Sequence, residues 1–314
     1  IIGMSEAISG MVPQSGSEAG AAMAVFTSGK TSILYGSGSS DFNLIPSVDE
    51  LGYLAWNLQP VGNNVFGLTA RGIQSLVATQ SYGDFAYAAV SYFVRPWLTA
   101  KAGLQTASVS LKTKNQYRVF FSDTSGLVVG LTGDKVSGIM PLEYGVAVLC
   151  TWGATLSTGE EVTYFGSSDG YVYRDNVGTS FDGSAIEAWI RPAFNNLQSP
   201  MVRKQYRAAV FEVTCDGYGN VNVTYDLGYG SSEAAATAVQ QDQTLRGSGG
   251  YWDQFTWDAF TWDAPVVSNA KISIDGADTN IGFLFYSNSA KSDPHTVSGV
   301  SLLYTNRKLV RSGS

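Results

Sequence analysis

Short runs in which apolar and polar residues alternate, separated by glycine, serine and asparagine, recur along most of this chain. Each predicts a β-strand, because successive side chains of a strand point to opposite faces. The clearest case spans Val162 to Arg174, where Val162, Tyr164, Tyr171 and Tyr173 are β-formers on alternate positions and Ser168-Asp169-Gly170 supplies a tight turn. A turn-rich loop from Asp175 to Gly183 follows, and Ile186-Glu-Ala-Trp-Ile190 alternates again. Three earlier segments repeat the hairpin pattern: Ala24 to Gly36, Asn64 to Leu76, and Gln116 to Val129. Aligned on Phe26, Phe66, Phe120 and Phe165, they lie 40, 54 and 45 residues apart. That spacing predicts propeller blades rather than the steady period of about 8 to 12 residues of a β-sandwich.

Elsewhere, Asp41-Phe-Asn-Leu-Ile-Pro46 reads as a strand that stops at its proline. Phe85 to Val94 is rich in alanine and large apolar residues with few breakers and reads as a helix, with strand as the alternative because Tyr92-Phe-Val is strongly β-forming. Val202 to Val213 and Asn220 to Tyr225, with Gly217 and Gly219 between them, predict a further hairpin. The polar stretch from Ser231 to Gly250 reads as a linker or exposed loop, and Ala270 to Ile274, Ile281 to Tyr286 and Val297 to Tyr304 as three strands of one final sheet. The expected fold is all-β: irregular β-propeller blades over residues 1–230, then the linker at 231–250 and a C-terminal β-sheet region at 251–314. Because the chain starts without methionine, residue 1 is read as a cut, with the first blades incomplete.

Composition supports this. The chain has 35 glycines and 17 tyrosines among 314 residues, and 14% of its residues are charged, which favours turn-rich β structure. A formal charge of -7 with only 19 Lys and Arg speaks against a surface that grips nucleic acid, since that needs clustered cations to replace phosphate counterions. The two cysteines, Cys150 and Cys215, sit in apolar β contexts and are expected to be buried free thiols. No run of 18 apolar residues predicts a membrane span.

Candidate chemistry is sparse. With one histidine, His295, neither a histidine relay nor a multi-histidine metal site can be built. Asp169, Asp175 and Asp182 lie near one another, which raises calcium binding or glycosidase acids, but the spacing is not that of an EF-hand and acids in β loops usually make turns. No catalytic, cofactor-binding or metal-ligating residue is therefore assigned. Arg203, Lys204 and Arg207 cluster as a docking face, with a solvated strand edge as the plainer reading. Trp252, Trp257 and Trp262 form an aromatic ribbon expected to pack at a subunit interface, a sugar-stacking platform being the alternative.

Several phrases together resemble a known family. Asn115-Gln-Tyr-Arg-Val-Phe-Phe-Ser-Asp123, Thr163-Tyr-Phe-Gly-Ser-Ser-Asp-Gly-Tyr-Val-Tyr173, Phe181-Asp-Gly-Ser-Ala-Ile186, Arg203-Lys-Gln-Tyr-Arg207 and Val297-Ser-Gly-Val-Ser-Leu-Leu-Tyr304 are similar to the tail nozzle, or tail tubular protein B, family of short-tailed bacteriophages. The resemblance implies a virion structural protein of the tail, assembled in the host cytoplasm. It further implies a ring of six subunits that joins the tail adaptor and other tail proteins and lets genomic DNA pass with weak contact only. It carries no catalytic residues, so the chain is expected not to be an enzyme and to need no cofactor. Separately, Arg174 to Phe181 loosely resembles the Asp-box turn of sialidase propellers, with Asn176 where an aspartate is expected and Phe181 where a tryptophan is. That keeps a glycan-binding or glycan-cleaving propeller as the alternative.

Overall fold

The computed structural model describes residues 6–13, 22–38, 40–49, 52–61, 64–76, 94–132, 135–215, 218–228, 241–246 and 267–309. Among them are 21 strands and one short helix, so the all-β expectation holds. The chain divides into two compact units, Ile1–Val177 and Gly178–Ser314. The division expected near residue 230 therefore falls about fifty residues earlier, and residues 178–228 belong with the C-terminal strands.

The first unit is a series of antiparallel meanders. Strands β1 (Ile8–Pro13), β2 (Ala22–Thr27), β3 (Lys30–Tyr35) and β4 (Asn43–Asp49) form one sheet in chain order, and β5 (Gln59–Val61), β6 (Asn64–Thr69) and β7 (Gly72–Ser75) form the next. After helix α1 (Arg95–Ala100) come β8 (Gln105–Leu111), β9 (Gln116–Phe121), β10 (Ser125–Thr132) and β11 (Lys135–Glu143), and then β12 (Val148–Thr155), β13 (Glu161–Ser167) and β14 (Val172–Arg174). Each sheet buries a face against the next one in the chain. Val12, Ala24 and Phe26 of the first meet Val65 of the second; Phe66, Leu68 and Ile73 of the second meet Tyr117, Val119 and Phe121 of the third. On the opposite face of the third, Val109, Leu111 and Phe120 meet Val148 and Phe165 of the fourth. Face-to-face stacking of consecutive meanders is how blades pack. It also explains why Gln116-Tyr-Arg-Val-Phe-Phe121 is buried at every position after Gln116: β9 is covered on both sides.

The four hairpins expected from the alternating pattern are present as β2–β3, β6–β7, β9–β10 and β13–β14. One boundary differs. Strand β4 does not stop at Pro46 but runs through it, because β4 is the edge of its sheet and proline there gives up no ladder bond on its open side; the register slips beside it, between Thr31 and Ser32. Gly67 is needed where it stands, since a Cβ on it would come within 2.5 Å of the Tyr53 ring. The segment read as a helix, Phe85 to Val94, lies outside the described residues except for Val94, which directly precedes α1.

The second unit is a two-sheet sandwich. One sheet has the order β15 (Ile186–Ile190), β20 (Ile281–Ser289), β17 (Tyr218–Leu227), β18 (Gln241–Arg246); the other is β19 (Val267–Asp278), β16 (Val202–Cys215), β21 (His295–Leu309). Tyr206, Ala209, Phe211 and Val213 of β16 and Ile272 and Ile274 of β19 close over Val221, Val223, Ile281, Phe283 and Phe285 of the facing sheet. Phe211 meets the rings of Phe283 and Phe285 edge-on, both at 5.2 Å, an arrangement favoured by the ring quadrupoles. This corrects two expectations. Strands β16 and β17 are not a hairpin but lie in opposite sheets, and the last three strands are not one sheet, since β20 sits with β17 while β19 and β21 flank β16. The reason is common to both: each of these strands has an apolar face, and a sheet hides such a face only against a second sheet. The stretch read as a linker contains β18, paired with β17.

Candidate functional site

A buried polar hub lies at the end of an aromatic ladder in the first unit. The rings of Phe120, Tyr144, Phe165 and Tyr173 stack in sequence at 5.7, 5.2 and 5.2 Å, and the Tyr144 hydroxyl emerges beside Arg118 and Asp175. Alternation along β9 puts Arg118 on the same face as Phe120. Its guanidinium reaches Asp175 Oδ2 at 2.7 Å, Asn176 Oδ1 at 3.1 Å, the Tyr144 oxygen at 3.2 Å, and Gln116 Oε1 through two nitrogens. Arg118 and Asp175 are each only 8% exposed. Tyr144 donates to Asp175 Oδ1 at 2.8 Å, and Lys114 Nζ donates to Asn176 Oδ1 at 2.9 Å. Burial, followed by the charge of Asp175, pushes the Tyr144 hydroxyl well above the usual tyrosine range, so it stays a donor. The five donor positions of the guanidinium are committed inside the hub, which makes Arg118 a pin between β9 and the chain leaving β14.

Each of the three aspartates has its own local role. Asp175 is in the hub, Asp169 caps its own hairpin turn by accepting from the Tyr171 N–H and the Tyr173 hydroxyl, and Asp182 is an exposed turn residue with φ of 49°. Among the described residues no group of three or more His, Cys, Asp or Glu side chains comes together to hold a cation.

Other carboxylates close turns of neighbouring strands. Glu6 accepts from the Thr27 and Ser28 hydroxyls and the Gly29 N–H, and Glu161 accepts from the N–H groups of Lys112 and Thr113 and the Thr113 hydroxyl. The Glu6 pKa is lowered, chiefly by the Thr27 hydrogen bond; burial pulls Glu161 upward, but its hydrogen bonds from Thr113 and Lys112 outweigh that. Asp41 is lowered by the N–H groups of Gly38 and Ser37. A carboxylate whose folded pKa is depressed stabilises the fold above its unfolded pKa and loses that contribution as pH falls through the folded one. We expect the melting temperature to be flat from pH 7 to about 5 and to fall below about pH 4.5, with a shallower fall in Glu161→Gln. A melting curve indifferent to pH down to about 3 would contradict this.

Of the sequence-predicted interface residues, those that are described fall into exposed and buried positions. Trp252, Trp257 and Trp262 lie outside the described residues. Arg207 is exposed on β16, and Arg203 is exposed with its Nε donating to the Ala277 carbonyl. Lys204 is corrected: it is 1% exposed, and its ammonium donates to the carbonyls of Ser199 (2.7 Å), Val202 (3.1 Å) and Thr279 (2.9 Å). It faces inward on β16 and cannot dock a partner. Cys215 is buried as expected, but Cys150 is exposed on β12.

What the sequence reading missed is exposed apolar surface. Trp189 is 67% and Ile190 61% exposed on β15, and Leu303 and Val300 stand out on β21. On the outer face of the fourth sheet Trp152 is 57% exposed beside Tyr164. Alternation marks these residues as strand but does not tell which strands lack a covering layer.

No family model matches the sequence, and no curated protein matches it. Among solved structures the chain is similar to an exo-β-1,3-galactanase from Phanerochaete chrysosporium with galactose, at 10% identity over 90% of this chain and 78% of that one, with a TM-score of 0.27. It is also similar to a glycoside hydrolase family 43 arabinoxylan arabinofuranohydrolase from Bacillus subtilis in complex with cellotetraose, at 8% identity over 93% and 78%, TM-score 0.27. A third is a Cry1Da tryptic core variant from Bacillus thuringiensis, at 9% identity over 94% and 50%, TM-score 0.23. Two of these three are enzymes, a galactanase and an arabinofuranohydrolase, so the expectation that the chain is not an enzyme is not upheld. TM-scores this low assign it no activity, substrate or catalytic residue. No helix among the described residues is long and apolar enough to cross a membrane.

Proposed function

We propose that the chain is a virion structural protein, a subunit of the tail nozzle ring of a short-tailed phage through which the genome is ejected. The reading rests on the nozzle-like phrases of the sequence, and the single observation that supports it in the fold is strand β15. This five-residue strand pairs with β20 along one edge; among the described residues no strand pairs with the other, and Glu187 through Ile190 are exposed on both faces. An open edge carrying exposed tryptophan and isoleucine is a liability for a lone molecule and an asset for one that adds a neighbour's surface. In this reading the ring is six-fold and docks on the tail adaptor. The charge of -7 keeps the DNA path free of tight phosphate contacts.

The test is assembly. The wild-type chain at micromolar concentration should form rings by negative-stain electron microscopy and sediment as a hexamer, and Trp189→Glu combined with Ile190→Glu should return it to monomers with an unchanged circular dichroism spectrum. Rings that survive the double substitution remove β15 from the interface. A wild-type chain that stays monomeric overturns the proposal.

A further inference from the structure

We infer that the outer face of the β12–β13–β14 sheet is a binding platform for a β-linked oligosaccharide of neutral hexoses. The inference is independent of the ring proposal, because it concerns a different sheet and a different kind of ligand. Three residues stand in one row across the sheet: Trp152 on β12 is opposite Tyr164 on β13, which is opposite Arg174 on β14. Row partners on adjacent antiparallel strands project from the same face. The indole and phenol rings are 6.1 Å apart and inclined by 33°, so they present one gently bent floor rather than an edge-to-face wedge. Trp152 is more than half exposed, and in the row next to it, Cys150, Gly166 and Val172, the Cys150 sulfur lies over the glycine and continues the surface.

The end of the row is polar. Arg174 pairs with Glu160 at 2.5 Å, and both side chains are largely in solvent, 41% and 58% exposed. A hexose in a β-linked chain has a flat face of C–H groups and a rim of hydroxyls. The C–H face matches an aromatic floor, whose negative π surface attracts the slightly positive hydrogens, and the hydroxyls match a guanidinium and a carboxylate, one offering a fork of donors and the other acceptors. Other ligands fit less well. The one cation of the row is already neutralised by Glu160, in a chain of net charge -7, so a nucleic acid finds aromatic rings to stack on but no basic track for its phosphates. A purely apolar partner would leave the Arg174–Glu160 pair desolvated without compensation.

The experiment uses the full chain and two probes, the β-1,4-linked and the β-1,3-linked glucose hexamers, followed by tryptophan fluorescence and by indole N–H shifts in NMR. The expected result is saturable binding of at least one hexamer with a Kd of about 0.1 to 1 mM, a loss of at least tenfold in affinity for Trp152→Ala, partial retention in Trp152→Phe, and a smaller loss for Arg174→Gln. Melting of each variant within a few degrees of wild type shows that the fold is kept, which the exposure of Trp152 leads one to expect. No saturable change with either hexamer up to about 10 mM, or equal affinity in Trp152→Ala and wild type, overturns the inference. So does a Trp152→Ala variant that changes the oligomeric state but not sugar binding, which would make the face a contact between copies.

Discussion

Replacing Arg118 by alanine is expected to destabilise the first unit by about 3 to 5 kcal/mol, because it strands the Asp175 carboxylate in a site 8% exposed. The pair itself contributes less than that figure, since two charges had to leave water to form it. What the substitution measures is the penalty of one buried charge without its partner. Tyr144 and Asn176 would still donate to Asp175, so the carboxylate is not left bare, but neither carries a positive charge. In a unit of this size the loss corresponds to a fall in melting temperature on the order of 10 °C. Lysine should not rescue it, because one ammonium cannot reproduce the fork that meets Gln116, Asp175 and Asn176 together. Removing both charges, as Arg118→Met with Asp175→Asn, should recover more than half of the loss. Thermal and urea denaturation of wild type, Arg118→Met, Asp175→Asn and the double variant, the four proteins of the cycle, together with Arg118→Ala, give the answer. A single-mutant loss below about 1 kcal/mol would mean that water enters the hub readily and that it is not a pin.

The second large effect is at Lys204. Its three ammonium hydrogens satisfy three backbone carbonyls, two just before or at the start of β16 and one at the β19–β20 turn, and no carboxylate is among its partners. Burial draws its pKa below that of an ordinary lysine. Lys204→Met keeps most of the volume and the apolar stem but orphans the three acceptors, each of which costs roughly 1 to 3 kcal/mol when it cannot reach water. Partial rehydration of the Ser199 loop offsets some of this, so we expect a net loss of about 3 kcal/mol, read as a lower urea midpoint for the second unit and faster amide exchange around residues 279–281. The same variant separates two roles. Were Lys204 a docking residue, Lys204→Met would leave the melting temperature unchanged and weaken assembly. The structure predicts the reverse, with exposed Arg207→Ala the variant whose effect, if any, is on assembly alone.

These two sites show how far the chain could be read directly. Lys204 and Arg118 are both strand residues with an aromatic within two positions, in Arg203-Lys-Gln-Tyr-Arg207 and Gln116-Tyr-Arg-Val-Phe120, and a local pattern ranks every such cation as surface because burying one alone is prohibitive. Both are buried because distant segments bring them partners: Asp175 lies 57 residues from Arg118, and Thr279 lies 75 from Lys204. Asp175 was noticed in the sequence, but as a turn residue beside Asp169 and Asp182. Nothing local could pair it with β9.

The sequence by itself determined the strands. Period-two alternation, β-branched and aromatic residues, and turns marked by glycine and aspartate are set within about ten residues, so the hairpins β2–β3, β6–β7, β9–β10 and β13–β14 follow from local chemistry. Tertiary structure alone decided which strands share a sheet in the second unit, where β16 and β17 were drawn into facing layers although they are adjacent in sequence. It also decided which apolar residues stay exposed, as Trp152 and Trp189 do while Phe165 and Phe285 do not. The physical reason is the same in both cases: a strand's pattern says that one face is apolar, but the layer that covers that face comes from residues far along the chain.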